Sequence, residues 1–187
     1  MTPPADAPRP RVYTRVGDDG TTGLLYGGRV SKDSALPRAY GAVDEAQAAI
    51  GVARAEAGRG SELDAMLVPL MRDLWVLMAE LATLPENRGK LVPGKSLITA
   101  EMVAALEGMI DSVDDRFEHP TEFVVPGGTR ISALLDVARR TVVRAERETL
   151  AAAPAPSHVG PYLNRLSDLL WTLARWQEGT SLVAKEV

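Results

Sequence analysis

The chain has no cysteine among its 187 residues, only two histidines, and few aromatic side chains: three Trp, four Tyr and two Phe. Without thiols there can be no disulfide, no thiolate metal centre and no cysteine nucleophile. His119 and His158 stand in proline-containing loop sequence, where a solvated ring is expected rather than a metal ligand or general base. No Glu-x-x-His pair occurs, which argues against a di-iron helical bundle. Long apolar runs are missing too, so no membrane-spanning helix is expected. A formal net charge of −4 leaves no polybasic footprint, which excludes nucleic acid as an expected partner. An anionic ligand would need a local cluster of Arg and Lys. The opening MTPPADAPRPR is Pro-rich and polar with no apolar signal region, so residues 1–11 are expected to be a disordered lead-in and the protein cytoplasmic.

What is present is helical. With 45% hydrophobic and 25% charged residues the composition is that of an ordinary globular protein, and residues 12–187 are expected to form a single domain. Residues 36–57 place Ala39, Val43, Ala46, Ile50 and Ala53 on one helical face. Residues 62–84 repeat Leu63, Met66, Leu67, Leu70, Leu74, Leu77, Met78 and Leu81, with Pro69 marking a kink or a late start. Residues 99–115 open at Thr99 and carry Met102, Val103, Leu106, Met109, Ile110 and Val113. The last helix is expected from Pro161 to a stop at Gly179, with Tyr162, Leu166, Leu169, Leu170, Leu173 and Trp176 on a broad apolar face. Helices joined by loops, with little strand signal, predict an all-α five-helix bundle over about residues 36–179.

The most informative stretch is residues 123–147, FVVPGGTRISALLDVARRTVVRAER. An extended apolar run turns at Pro126-Gly127-Gly128, and Thr129 is positioned to cap a long helix. Ile131, Leu134, Leu135, Ala138, Val142 and Ala145 share its buried face, whereas Arg140, Arg144 and Arg147 point away. That charged side reads either as a solvated, ion-paired face or as an anion site. Residues 12–30 show no helical period, and their glycines at 17, 20, 23, 27 and 28 alternate with Thr, Asp and Arg. Such a segment can cradle an anion with backbone N–H groups, or form a β-hairpin with Gly-rich turns. It lacks the Gly-Lys-Ser/Thr ending of a Walker A loop.

Four blocks in order, TRVGDDGTTGL, YGAVDEAQAAIG, PGGTRISALLDVARRTVVRAER and LNRLSDLLWTLARW, resemble the PduO-type ATP:cob(I)alamin adenosyltransferases, or corrinoid adenosyltransferases. The resemblance runs from Val12 to about Trp176. It implies a five-helix bundle with an N-terminal Gly-rich ATP-binding loop, assembled as a homotrimer with active sites between subunits. It also implies transfer of the 5′-deoxyadenosyl group of ATP to the cobalt of reduced cobalamin, with release of triphosphate.

Carried over by matching motifs, the phosphate-wrapping loop is Thr14, Arg15, Gly17, Asp18, Gly20 and Thr22, followed by Lys32. Asp44 would pair with Arg139 of a neighbouring subunit. Arg144, Glu146, Arg147 and Asn164 fall at nucleotide-contact positions. Arg139, Arg144 and Asp44 are the residues expected to carry the reaction. Phe123, with Val124 beside it, would lie against the corrin ring; the rival reading of Phe123, Val124 and Val125 is a core strand. Trp171 and Trp176 read as core or interface. In one respect the chain departs from the resemblance. Val143 occupies the place of the first arginine of an Arg-Arg-Ala-Glu-Arg block, leaving Arg147 or Arg140 to supply that charge.

The implied chemistry suits the composition. Reduced cobalamin is itself the nucleophile, so no general base is needed, and the protein's tasks are orientation and stabilisation of charge on the leaving triphosphate. No protein metal site is expected, magnesium being held mainly by ATP phosphates. A cobalamin reductase or flavoprotein, and a methylmalonyl-CoA mutase as product acceptor, are partners implied by the resemblance. The alternative is a non-catalytic carrier of ATP or adenosylcobalamin with the same fold, favoured by Val143.

Overall fold

A computed structural model gives the fold and describes residues 12–153 and 155–186; the lead-in expected over 1–11 lies outside the described residues. Five helices follow a short hairpin: α1 (Ala35–Ala57), α2 (Glu62–Leu81), α3 (Ala100–Asp114), α4 (Arg130–Thr149) and α5 (Val159–Glu178). The all-α reading and the helix count hold. Local chemistry sets most of the helix starts. Ser61 and Thr99 accept the backbone N–H groups of Asp64 and Met102, and Thr129 forms a reciprocal capping box with Ser132. Because α2 begins at Glu62, Pro69 lies inside it and is not a late start.

Two boundaries differ from the periodicity. The second helix ends at Leu81 rather than at residue 84. The Ala82 carbonyl accepts Leu25 N at 2.8 Å, and the Thr83 hydroxyl caps the Ala79 carbonyl at 2.8 Å. Pro85 also disfavours helical geometry at the residue before it. The fifth helix starts at Val159, two residues before Pro161. A proline is tolerated there because first-turn N–H groups lack intrahelical partners anyway.

The core is built on α1, α4 and α5. Ala39, Val43, Ala46, Ile50 and Ala53 of α1 are all fully buried, as are Leu135, Ala138, Val142 and Ala145 of α4. Small side chains facing each other let these two helix backbones come close. The ion pairs Arg130–Glu56 and Arg144–Glu45 show that α4 runs antiparallel to α1. Central α5 buries Tyr162, Leu163, Leu166, Leu169, Leu170, Leu173 and Ala174, more than one face of the helix. Trp171 and Trp176 are half-buried, Trp176 packing on the core with the Arg116 guanidinium 4.3 Å above its ring.

The Gly-rich stretch contains a hairpin, β1 (Thr21–Gly23) with β2 (Arg29–Ser31), pairing Thr21 with Ser31, Thr22 with Val30 and Gly23 with Arg29. It docks on the C-terminal end of α2. Gly28 has φ 89°, and a Cβ there would stand 2.5 Å from Leu84 Cδ1. Glycine is therefore required both for the backbone and for the approach.

The start of α2 carries two ion pairs that bind it to its neighbours. Both oxygens of Glu62 accept from Arg116, at 2.7 and 2.9 Å, holding its carboxyl below the usual range. Asp64 is lowered chiefly by Gly60 N–H and then by Arg54. Carboxyls lowered in the folded state contribute fully above their unfolded values and lose that contribution as pH falls through the folded ones. Asp73 runs the opposite way, because burial raises it against a hydrogen bond donated by Tyr162. Urea unfolding at successive pH values should show stability falling below about pH 4, and Asp64→Asn should flatten that slope. An unchanged slope would contradict the assignment.

Candidate functional site

The Gly-rich segment is closed by Lys32. Its ammonium donates to the Gly17 carbonyl at 2.7 Å and its backbone N–H to the Gly20 carbonyl at 2.9 Å. Arg29 donates to the Val16 carbonyl at 2.9 Å, and Asp19 accepts both the N–H and the hydroxyl of Thr21. These donations hold the Asp19 carboxyl low, the Thr21 N–H most of all. Arg15 adopts φ 63°, a left-handed conformation that costs a non-glycine residue about 1–3 kcal/mol. Thr14, Arg15, Asp18 and Gly20 are exposed, while Gly17 and Thr22 are half-buried. The loop thus presents hydroxyls, an arginine and a lysine on an ordered turn, the equipment for gripping an anion.

The antiparallel order brings this loop to the end of the bundle where α1 begins, α4 ends and α5 begins. Arg38, Ala42, Glu45, Arg144 and Glu148 line one depression there. Asn164 of α5 donates to Glu146 of α4 at 3.4 Å and accepts from Arg165. Arg140, Arg144 and Arg147 are exposed, so the charged side of α4 does face outward, with Arg144 ion-paired to Glu45. Val143 is half-buried, and Arg140 and Arg147 are the exposed cations on either side of it along the helix.

Asp44 and Arg139 are not joined within the chain. Asp44 is exposed and, among the described residues, has no ion-pair partner. Arg139 instead lies 3.3 Å from Asp136 of its own helix. It lines, with Ala133, Asp136, Val137, Arg140 and Arg144, a depression of about 470 Å³ along α4. Val137 there is 57% exposed, an apolar side chain facing outward beside the arginines.

Phe123 and Val124 stand at the other end of the bundle. Phe123 is 89% exposed, so it is not a core-strand residue. Val124 pairs with Val183, with Val125 N donating to Leu182 O and Ala184 N to Phe123 O, each at 2.8 Å. From Gly128 to Glu146 along α4 is roughly 27 Å at 1.5 Å per residue.

The sequence reading missed Asp136, Arg175 and Glu178. Arg175 is 1% exposed, donates to Asp136 at 2.7 Å and lies 3.4 Å from Glu178. Partners 39 residues apart carry no local signature; a charged residue on the apolar face of the last helix was the one available hint. Both histidines lie outside the helices, His158 as the residue preceding α5 and His119 in the following loop of α3, against Asp114.

Fold and site together describe an antiparallel helical bundle with a Gly-rich loop and an arginine-bearing helix end directed to the same side. Residues 12–177 match the cobalamin adenosyltransferase family, and the chain belongs to that family. It is 43% identical over 170 residues to a corrinoid adenosyltransferase of Mycobacterium tuberculosis, covering 88% of this chain and 87% of that one. A corrinoid adenosyltransferase of Citrobacter freundii is 40% identical over 173 residues, covering 91% and 96%. A variant PduO-type ATP:corrinoid adenosyltransferase of Lactobacillus reuteri, complexed with cobalamin and ATP, has the same fold at TM-score 0.83 and 24% identity, covering 94% of this chain and 97% of that one.

Burial separates the arginines. Arg175→Met would strand the carboxylates of Asp136 and Glu178 in the core and should destabilise the protein by about 3–5 kcal/mol in urea unfolding. Arg144, with half its side chain exposed, should change stability by less than about 1 kcal/mol on replacement by Ala. Equal losses in the two variants would contradict this division between a buried structural arginine and an exposed one.

Proposed function

We propose that the chain transfers the 5′-deoxyadenosyl group of ATP to the cobalt of cob(I)alamin. The cobalt supplies the electron pair of the new cobalt–carbon bond, the C5′–O bond breaks, and its electrons leave with triphosphate. Thr14, Arg15, Gly17, Asp18, Gly20, Thr22 and Lys32 wrap the phosphates, and Arg144, Arg147, Glu146 and Asn164 complete the nucleotide site. The observation that carries this reading is their placement at one end of the bundle, on a chain of the cobalamin adenosyltransferase family. A phosphate in a solvent-screened site gains several times more from each cation than it would in water. Magnesium arrives on the ATP phosphates, whose oxygens supply most of its ligands.

Phe123 and Val124 form an apolar wall against the corrin, keeping a donor atom from the lower face of the cobalt and easing its reduction. One chain does not close this wall and the Gly-rich loop around reacting atoms that must approach to about 3.5 Å, since they stand a helix length apart. In this proposal the site lies between chains of a homotrimer, as the resemblance implies, with Asp44 of one subunit paired to Arg139 of the next. The outward-facing Val137 and the depression beside Arg139 suit such a boundary. A flavoprotein reductase supplies the electron, and a cobalamin-dependent mutase such as methylmalonyl-CoA mutase accepts the product. The cytoplasm is the expected compartment; among the described residues no helix is long and apolar enough to cross a membrane.

Anaerobic mixing of the protein with magnesium–ATP and cob(I)alamin should give the absorbance change of adenosylcobalamin together with one triphosphate per turnover. Binding of both without turnover would leave the carrier reading, for which Val143 speaks. Lys32→Ala should weaken ATP binding by about 10–100-fold, as expected for loss of a charge-assisted bond, when followed by calorimetry. Asp44→Ala and Arg139→Ala should each weaken both ATP binding and assembly. An intact trimer with unchanged turnover in both variants would refute the intersubunit pair.

A further inference from the structure

Four charged side chains of alternating sign run along the packing of α4 on α5: Glu178, Arg175, Asp136 and Arg139. Arg175 lies 3.4 Å from Glu178 and donates to Asp136 at 2.7 Å; Asp136 lies 3.3 Å from Arg139. The Glu178 and Arg175 side chains are 0% and 2% exposed. Buried ionic groups of this kind are seldom more stable than an apolar packing of the same volume. Their value here lies in what they hold.

Glu178 grips two segments at once. One carboxylate oxygen accepts Gly128 N–H at 2.8 Å and the Ser132 hydroxyl at 3.1 Å; the other accepts the Ser181 hydroxyl at 2.8 Å. Gly128 follows Phe123 through the Pro-Gly-Gly turn. Ser181 leads into Leu182–Ala184, the stretch that hydrogen-bonds to Phe123 and Val125. Both sides of the small ladder presenting Phe123 are therefore tied to one buried carboxylate. Phe123 itself is 89% exposed, so side-chain packing does little to fix its direction and this ladder does most of it. The fit is close: a Cβ on Gly128 would fall 2.5 Å from Glu178 Oε1.

We propose that Glu178 is the positioning residue of the corrin-facing wall. It fixes both segments of the ladder that presents Phe123, through Gly128 on one side and Ser181 on the other. The proposal rests on the adenosyltransferase reading and adds to it a residue that touches neither substrate.

Glu178→Gln keeps the volume but sets an amide against Arg175 and Ser181. It should raise the KM for cob(I)alamin at least tenfold while leaving the KM for ATP within twofold and the native mass unchanged. Gly128→Ala pushes the carboxylate aside without removing it and should give the same split. Ser181→Ala, which releases one strand only, should give a smaller effect of the same kind if Glu178→Gln proves too unstable to assay. In a Glu178→Ala background the Gly128→Ala effect should shrink, because the clash has gone. An inactive wild type removes the reading beneath this proposal. An active wild type whose variants leave the cobalamin KM unmoved, or shift both KM values together, overturns the Glu178 assignment alone.

Discussion

The constraint on which the structure turns is the division of α4 into two unlike sides. Its apolar stripe, Leu135, Ala138, Val142 and Ala145, is fully buried among α1 and α5, and that burial fixes how the helix is rotated. Fully burying such a side chain is worth about 1.5–3 kcal/mol for the larger ones, so a 100° rotation would be prohibitive. With rotation fixed, Arg140, Arg144 and Arg147 must face outward. The core thus determines where the positive charge goes, and no separate device is needed to aim it.

The same helix carries different duties at its two ends. Towards its C-terminus it meets the first half of α1, where Arg144 pairs with Glu45 and Arg140 and Arg147 are exposed on either side of Val143. Its N-terminal half is held by the buried alternation of Glu178, Arg175 and Asp136, which fastens the turn after Phe123. Exposed arginines contribute little to stability and are free to serve a ligand; the buried one is structural. A polar site and an apolar wall on one helix, a helix length apart, are most simply reconciled if neighbouring chains bring the wall of one to the loop of another.

Much of this was legible in the sequence, for identifiable reasons. Periodic Leu and Ala gave all five helices, and Thr99 and Thr129 mark helix starts that are local in the chain. The end of α2 was not legible, because a hydrogen bond from distant Leu25 decides it. Composition left the Gly-rich stretch open between loop and hairpin; it is a hairpin from Thr21 to Ser31, preceded by the turn that Lys32 closes. Phe123-Val124-Val125 resembles a core strand in hydropathy alone, yet its ladder partner near the C-terminus leaves Phe123 outside the core. The Asp136–Arg175–Glu178 network had no motif to announce it, since its members meet only when α4 and α5 pack.

Mixing two damaged chains tests the central claim, a site completed by neighbouring subunits, most directly. Lys32→Ala spoils the Gly-rich loop and Phe123→Ala spoils the apolar wall, and each homogeneous protein should adenosylate cob(I)alamin poorly. Subunits exchanged between the two should recover activity, because some boundaries then join an intact loop to an intact wall. Mixed trimers, verified by native mass, that stay as inactive as their parents would place loop and wall of each site on the same chain and contradict the shared site.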